Sequence, residues 1–478
     1  MNHNIILALP EVTLLILIGG IMMVDLFSAP EKRADRLMGL AVITLLIVGA
    51  AVYNPFVEAR FAFNGMFVVD GMAAVLKVAM AACLLIGLLY SRDHLEKRGL
   101  FTGEYVMLML FALLGMMVMV SANNFVTLYL GLEIQALSVY ALVALQRDSA
   151  RASEAAMKYF ILGALASGLL LYGISMVYGA TGSLDIEQVA KSVGFSQGNT
   201  ALLAFGLVFV VAGLAFKLGV VPFHMWVPDV YHGAATPTTM LLSTAPKIAA
   251  FAFIVRILGD GLAGMAGDWQ LMLVFLAVLS LAIGNIVAIA QTNLKRMLAY
   301  STISHMGFLV LGILAGTNNG YSSSMFYVVT YALTALASFG MILLLSREGF
   351  EAENLEDFKG LNQRSPWHAF LMLIVMFSLA GIPPTVGFFA KLSVLQAALE
   401  AGWVWLVVFA VLMSVIGAFY YLRVVKLMYM DAPVDTAPIG GNAVAGSLLT
   451  VNTFALLLLG LLPSGLLELC RRAIAASF

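Results

Sequence analysis

The sequence predicts an all-α polytopic membrane protein, a single integral membrane domain over residues 1–478, and three observations carry that prediction. Hydrophobic residues make up 62% of the chain and charged residues 11%, where soluble domains carry about 25% charged residues. Apolar stretches of ~20 residues, the length a helix needs to cross hydrocarbon, recur from end to end. The basic residues between them favour alternate loops.

Fourteen stretches qualify, at 5–27, 37–53, 69–90, 104–121, 124–145, 154–178, 200–224, 238–259, 269–290, 298–316, 322–346, 366–400, 403–425 and 444–470. The first begins without a basic leader and holds Glu11, so it reads as a retained helix and not a cleaved signal. Fifteen Lys and Arg residues lie on one set of loops: 32–36, 92–98, 147–151, 295–296, 347–364 and 423–426. The opposite loops hold only Arg60, Lys191, Arg256, Arg471 and Arg472. Cytoplasmic loops carry the basic excess, so the pattern predicts a multi-pass protein with both termini on the outer side.

Two spans are broken by proline. The seventh reads Phe216-Lys217-Leu218-Gly219-Val220-Val221-Pro222 and the twelfth Phe377-Ser378-Leu379-Ala380-Gly381-Ile382-Pro383-Pro384. Proline removes a helix hydrogen bond and clashes with the preceding turn. Irregular backbone at membrane depth survives only where it is buried in protein or faces water. The two strings share the pattern FxLxxxP, and Ala164–Ser167 in span six repeats as Ala335–Ser338 in span eleven. A period of five spans is odd, so the second copy must be inverted. The predicted organisation is accessory helices over 1–103, a first repeat over 104–260 (spans 4–8), an inverted repeat over 268–430 (spans 9–13) and a C-terminal helix over 440–478. Paired broken helices in two halves point to a transport site.

The candidate functional residues are ionisable groups inside spans. Glu133, Lys158, Lys217, Lys247 and Lys391 all fall in apolar segments, where a central charge costs ~2.5–3.5 kcal/mol on insertion scales. Such groups mark proton or ion paths by default. Glu133 lies mid-span and is expected to pair with Lys158, although Lys158, four residues into its span, could instead snorkel to the surface. Lys217 precedes the first break, Lys391 follows the second as its counterpart, and Lys247 lies mid-span after Pro246. His224 and His305 are candidate relays, with a hydrogen-bonded core histidine as the plain alternative. Asp229 and His232 form either a cytoplasmic mouth or a polar loop. Lys77 is expected to serve in structural pairing and Gly312-x-x-x-Gly316 in close packing.

Several functions are excluded. Cys83 and Cys470 stand apart in apolar runs, so neither a metal nor an iron–sulfur cluster is expected in this chain. No nucleotide or flavin fingerprint occurs, and a net charge of −1 gives no nucleic-acid signal.

The placement of Glu133, Lys158, Lys217 with Pro222 and His224, Lys247, and Lys391 after Pro383-Pro384 resembles the antiporter-like membrane subunits of respiratory complex I. The string Leu298–Gly307 (LAYSTISHMG) resembles that family's tenth span. The resemblance covers essentially the whole chain. It implies a proton-pumping module, with flavin mononucleotide, iron–sulfur clusters and quinone held by other subunits. It also implies hetero-oligomeric partners: other membrane-arm subunits, a neighbouring antiporter-like subunit with its lateral helix, and lipid. In that family Glu133 and Lys158 would couple to the neighbour, Lys217 and Lys247 would carry the central proton, and Lys391 would lead to the exit. A subunit of a multisubunit cation/proton antiporter is the nearest rival. An autonomous solute carrier and a purely structural subunit are further alternatives.

Overall fold

The computed structural model of the chain describes residues 3–52, 58–194, 200–435, 437, 439 and 443–478. The expected end of span two at 53 and the expected start of the C-terminal segment at 440 lie outside the described residues. Among the described residues, thirteen helices are long and apolar enough to cross a membrane, running from Leu9–Leu26 to Ala443–Leu461. The twelfth expected span is instead two short helices, Pro366–Ala380 and Val386–Glu400. The last expected span also divides, into Ala443–Leu461 and an amphipathic helix Ser464–Ala475, because Pro463 supplies no N–H to continue the ladder. The fold is not wholly helical. An antiparallel hairpin, Arg60–Ala62 with Phe67–Val69, joins the second and third spans and sets Phe61 opposite Val68.

Burial separates the helices into classes. The helix Leu294–Leu314 and the stretch Thr236–Gly261 are buried almost throughout, whereas Val404–Met430 and Ala443–Leu461 expose most of their residues. A helix hydrophobic all round belongs inside a bundle, and these two segments form its axis. Small residues let helices approach closely in oil, where packing replaces the hydrophobic drive. A Cβ on Gly115 would lie 2.4 Å from the backbone N of Gln135, so only glycine lets Gly103–Val120 cross Phe125–Val143 at that height. Gly312 is likewise in close contact, with Ser324 and Gly320, but Gly316 lies beyond the helix end at φ +66°.

The six loops expected to carry the basic excess meet at one end of the bundle. There Arg98 pairs with Glu351 at 2.7 Å, Arg151 with Glu353 at 2.9 Å, Arg296 with Asp229 at 2.8 Å and Arg347 with Asp435 at 2.8 Å. Arg423 caps Ile289 O and Gln291 O, and Arg92 pairs with Asp35. Burial would raise the Glu353 carboxyl, but the Arg151 fork and Lys295 together bring it below the usual carboxylate range. That ion pair is therefore complete above the ordinary carboxylate pKa and is lost only as pH falls through the depressed value.

Two ion pairs lie deeper. Lys77 meets Glu11 at 2.5 Å and sits 5.1 Å over the Phe67 ring, the structural pairing expected of it. Arg256 donates to Asp70 at 2.6 Å and to Val120 O at 3.1 Å, while Asp70 also caps the helix Gly71–Lys97 through Ala73 N. Asp70 and Arg256 are 1% and 2% exposed. Breaking a buried pair costs ~3–5 kcal/mol because one charge is stranded. Asp70→Asn should therefore lower the thermal unfolding temperature of the detergent-solubilised protein more than the double variant Asp70→Asn/Arg256→Met does. Equal losses would refute the pairing energetics.

Candidate functional site

The site is built on the two helix breaks, and both have the same backbone. The helix Thr200–Leu218 ends at Gly219, φ +79°, where Gly219 N and Val220 N both donate to Ala215 O. The helix Pro366–Ala380 ends at Gly381, φ +82°, where Gly381 N and Ile382 N both donate to Phe377 O. Each glycine takes the left-handed conformation open to it without a Cβ penalty, and a proline follows three residues on in each case. This alignment sets Pro222 against Pro384, one residue off the register of the shared FxLxxxP string.

In each break the carbonyl just before the glycine is taken by a lysine. Lys247 Nζ donates to Leu218 O at 2.7 Å, with Lys217 O at 3.4 Å, and lies 5.0 Å over the Trp226 ring. Lys391 Nζ donates to Ala380 O at 2.9 Å and to Ser414 Oγ at 3.0 Å, 5.0 Å over the Phe308 ring. Lys391 thus corresponds to Lys247 by contact, not to Lys217 as expected. The glycine registers explain this, since Leu379 occupies the place equivalent to Lys217.

Lys217 and Lys247 share one small cavity, walled by Tyr159, Trp226, Gln135 and Phe253. No hydrogen-bond or ion-pair partner of the Lys217 amine occurs among the described residues, and the Phe216 ring is 5.9 Å away. The irregularity expected around Pro246 is present. Thr236–Leu242 and Ala245–Ile254 are separate helices, and Val255–Gly261 is a π-helical turn. Such turns recur at functional sites.

The expected Glu133–Lys158 pair is absent. Lys158 Nζ meets Asp229 Oδ2 at 2.9 Å and Glu154 Oε1 at 2.8 Å, with its side chain 44% exposed. Glu133 Oε1 is buried and has no hydrogen-bond partner among the described residues. The helices run in opposite directions, and Tyr140 packs edge-on against Tyr159 at 4.6 Å. Glu133 lies seven residues from Tyr140, which at 1.5 Å per residue is ~10 Å along the axis from the level of Lys158. Asp229 and His232, left open as a mouth or a loop, lie on the short helix Trp226–Gly233 among the basic loops. Lys295, counted as a loop residue, is buried and caps Ala234 O at 2.8 Å.

His305 stands in the second half within a hydroxyl network that sequence reasoning missed. Its Nδ1 meets Tyr327 OH at 2.6 Å and its Nε2 meets Tyr421 OH at 3.2 Å. Tyr421 OH is 2.5 Å from Ser301 Oγ, and Tyr331 OH donates to Thr302 Oγ1 at 2.7 Å. Phe308 stacks on Tyr327 at 6.2 Å and carries Lys391 on its other contact, so the histidine and this lysine adjoin. The signal available in sequence was the run Ser301, Thr302, Ser304, His305. Its tyrosine partners come from other helices, where a lone tyrosine looks like core. His224 lies in the first break, half-buried, with Nδ1 unpartnered among the described residues, and no hydrogen bond joins it to His305.

Comparison with known proteins shows the family and the fold. The family described as NADH:quinone oxidoreductase/Mrp antiporter, TM, matches residues 122–417. The chain is 59% identical over 472 residues to the NADH-quinone oxidoreductase subunit N of Thiobacillus denitrificans, covering 98% of each chain. Its fold resembles a chain of respiratory complex I from Thermus thermophilus at TM-score 0.82 and 30% identity, over 96% of this chain and 98% of that one. It also resembles the fold of a chain of the Mrp complex from Dietzia sp. DQ12-45-1b, at TM-score 0.87 and 21% identity over 99% and 97% of the two chains. The chain belongs to the NADH:quinone oxidoreductase/Mrp antiporter family and, within it, to the NADH-quinone oxidoreductase subunit N proteins.

Proposed function

We propose that this chain is the proton-translocating membrane subunit N of an NADH:quinone oxidoreductase. It takes no part in electron transfer, which runs from NADH to quinone through flavin mononucleotide and iron–sulfur clusters on other subunits. The observation that carries the reading is the pair of helix breaks, each with a buried lysine amine on its free carbonyl. A single carbonyl partner leaves an ammonium two N–H groups from which to donate onward and gives a neutral amine a fixed place from which to recover a proton. Lys217 and Lys247 exchange the proton within their common cavity, under the field of Glu133. Ser301, Tyr421, His305 and Tyr327 form a chain of hydroxyls and ring nitrogens leading toward Lys391. Neutral imidazole has one donor and one acceptor nitrogen, so a tautomer change at His305 moves a proton past it. Lys391 faces the exit, and His224 stays a candidate at the first break.

The same reading takes the chain as fourteen crossings, counting the broken helix at Pro366–Glu400 as one. Inverted units of spans 4–8 and 9–13 are supported by the matching break geometry. The convergence of the basic loops at one end supports a cytoplasmic assignment for that end and periplasmic termini. Partners would be other membrane-arm subunits, including an adjacent antiporter-like subunit with its lateral helix, in a bacterial inner membrane.

Two variants test the proton path in the assembled complex. Lys217→Met should leave assembly intact and lower the proton-pumping rate at least about tenfold, since a positioned acid–base group contributes ~10²–10⁴-fold. A normal proton-to-electron ratio in that variant would reject the role. Tyr421→Phe removes one hydroxyl between Ser301 and His305. A lost hydrogen bond of ~1 kcal/mol corresponds to about fivefold, which a fluorescent pH-gradient assay resolves, and an unchanged gradient would remove Tyr421 from the path. The family also includes cation/proton antiporter subunits. Copurification with flavin and iron–sulfur absorbance favours the oxidoreductase, and its absence favours the antiporter.

A further inference from the structure

The contacts of Lys158 point beyond the path itself, to a residue that controls access to it. Lys158 and Tyr159 occupy one turn of the helix Ala150–Thr181, and both hold the short helix Trp226–Gly233. Lys158 does so by its ion pair with Asp229 at 2.9 Å, and Tyr159 by stacking on Trp226 at 4.6 Å and 17° between planes. Trp226 forms part of the wall of the lysine cavity. Its ring lies 5.0 Å from Lys247 Nζ, and its Nε1 donates to Phe216 O at 3.0 Å, beside Lys217. The helix that carries Asp229 among the basic loops therefore carries, one turn away, the side chain that covers both lysines.

We propose that Asp229 is a positioning residue. Its ion pair with Lys158 latches Trp226 over the cavity of Lys217 and Lys247, and release of that pair opens the cavity toward the basic end of the bundle. The inference rests on the proton-transfer reading above. Release strands no charge. Asp229 keeps Arg296 at 2.8 Å, and Lys158 keeps Glu154 at 2.8 Å. Because each partner retains a second ion, the latched and released arrangements differ by one exchangeable contact and not by a buried unpaired group. The side chain of Lys158 is 44% exposed, so a carboxylate arriving from an adjacent subunit can compete with Asp229 for it. The tryptophan then loses one of its two tethers to that helix, and the stack on Tyr159 is left to hold it.

The test uses the intact complex in proteoliposomes, with assembly checked by NADH:hexacyanoferrate activity and native gel. Asp229→Asn should assemble, lower proton pumping on the order of tenfold, the scale of a one-unit change in proton affinity, and lower the proton-to-electron ratio with it. Asp229→Glu should restore most of the pumping. Lys158→Met/Asp229→Asn should pump no worse than Lys158→Met alone, because groups acting through one contact are not additive. Normal pumping in Asp229→Asn, or a double-variant loss equal to the product of the single losses, would overturn the latch. Should Asp229→Asn fail to assemble, Tyr159→Leu removes the stack alone and should reduce pumping in the same direction; unchanged pumping there overturns the proposal. Lys391→Met is the control. Normal pumping in it would refute the proton path, whereas its loss beside a normal Asp229→Asn refutes only the latch.

Discussion

The capture of a helix-end carbonyl by a buried lysine is the contact around which this protein is arranged. A broken helix in hydrocarbon leaves backbone groups that water cannot reach, each costing several kcal/mol. A buried lysine carries its own cost of ~2.5–3.5 kcal/mol. Together they offset each other, since a hydrogen bond from a charged donor contributes ~1.5–3 kcal/mol. Leu218 O and Ala380 O are satisfied in this way, by Lys247 and Lys391. The bond that stabilises the break is one an amine can make in either protonation state, so structural need and proton carriage coincide in one atom.

The rest of the architecture keeps those contacts in place. Close crossings at Gly115 and Gly312 draw helices together until hydroxyl and imidazole groups from different spans meet. Aromatic rings lie against the amines: Trp226 at Lys247 and Phe308 at Lys391. At the basic end, carboxylates are shared between cations, as Asp229 is between Lys158 and Arg296. Shared carboxylates give contacts that can be exchanged without exposing a lone charge to oil.

Much of this was legible in the chain. Span positions, the two breaks and the five ionisable residues within apolar segments followed from hydropathy and proline placement, because insertion into lipid penalises polar groups residue by residue; of the five, Lys247 and Lys391 are buried and Lys158 reaches the surface. The alternation of basic loops anticipated which loops would meet at one end. The partners of the charges were not legible. Lys158 was expected either to pair with Glu133 or to snorkel to the surface, and axial offset between antiparallel helices puts the two about two turns apart. Lys391 was matched with Lys217 because each lies beside a break, and that position alone does not say which lysine takes the free carbonyl.

By itself, then, the sequence determined which segments enter the membrane, where their helices must stop and which side chains are too costly to be incidental. Each is a local property, set by composition over one span or by one proline. Only the tertiary structure decided which lysine takes which carbonyl, that Tyr327 and Tyr421 enclose His305, and that Asp229 meets Lys158. Those contacts join residues from 11 to 116 positions apart, and they depend on the rotation and height at which helices pack, which local sequence does not encode.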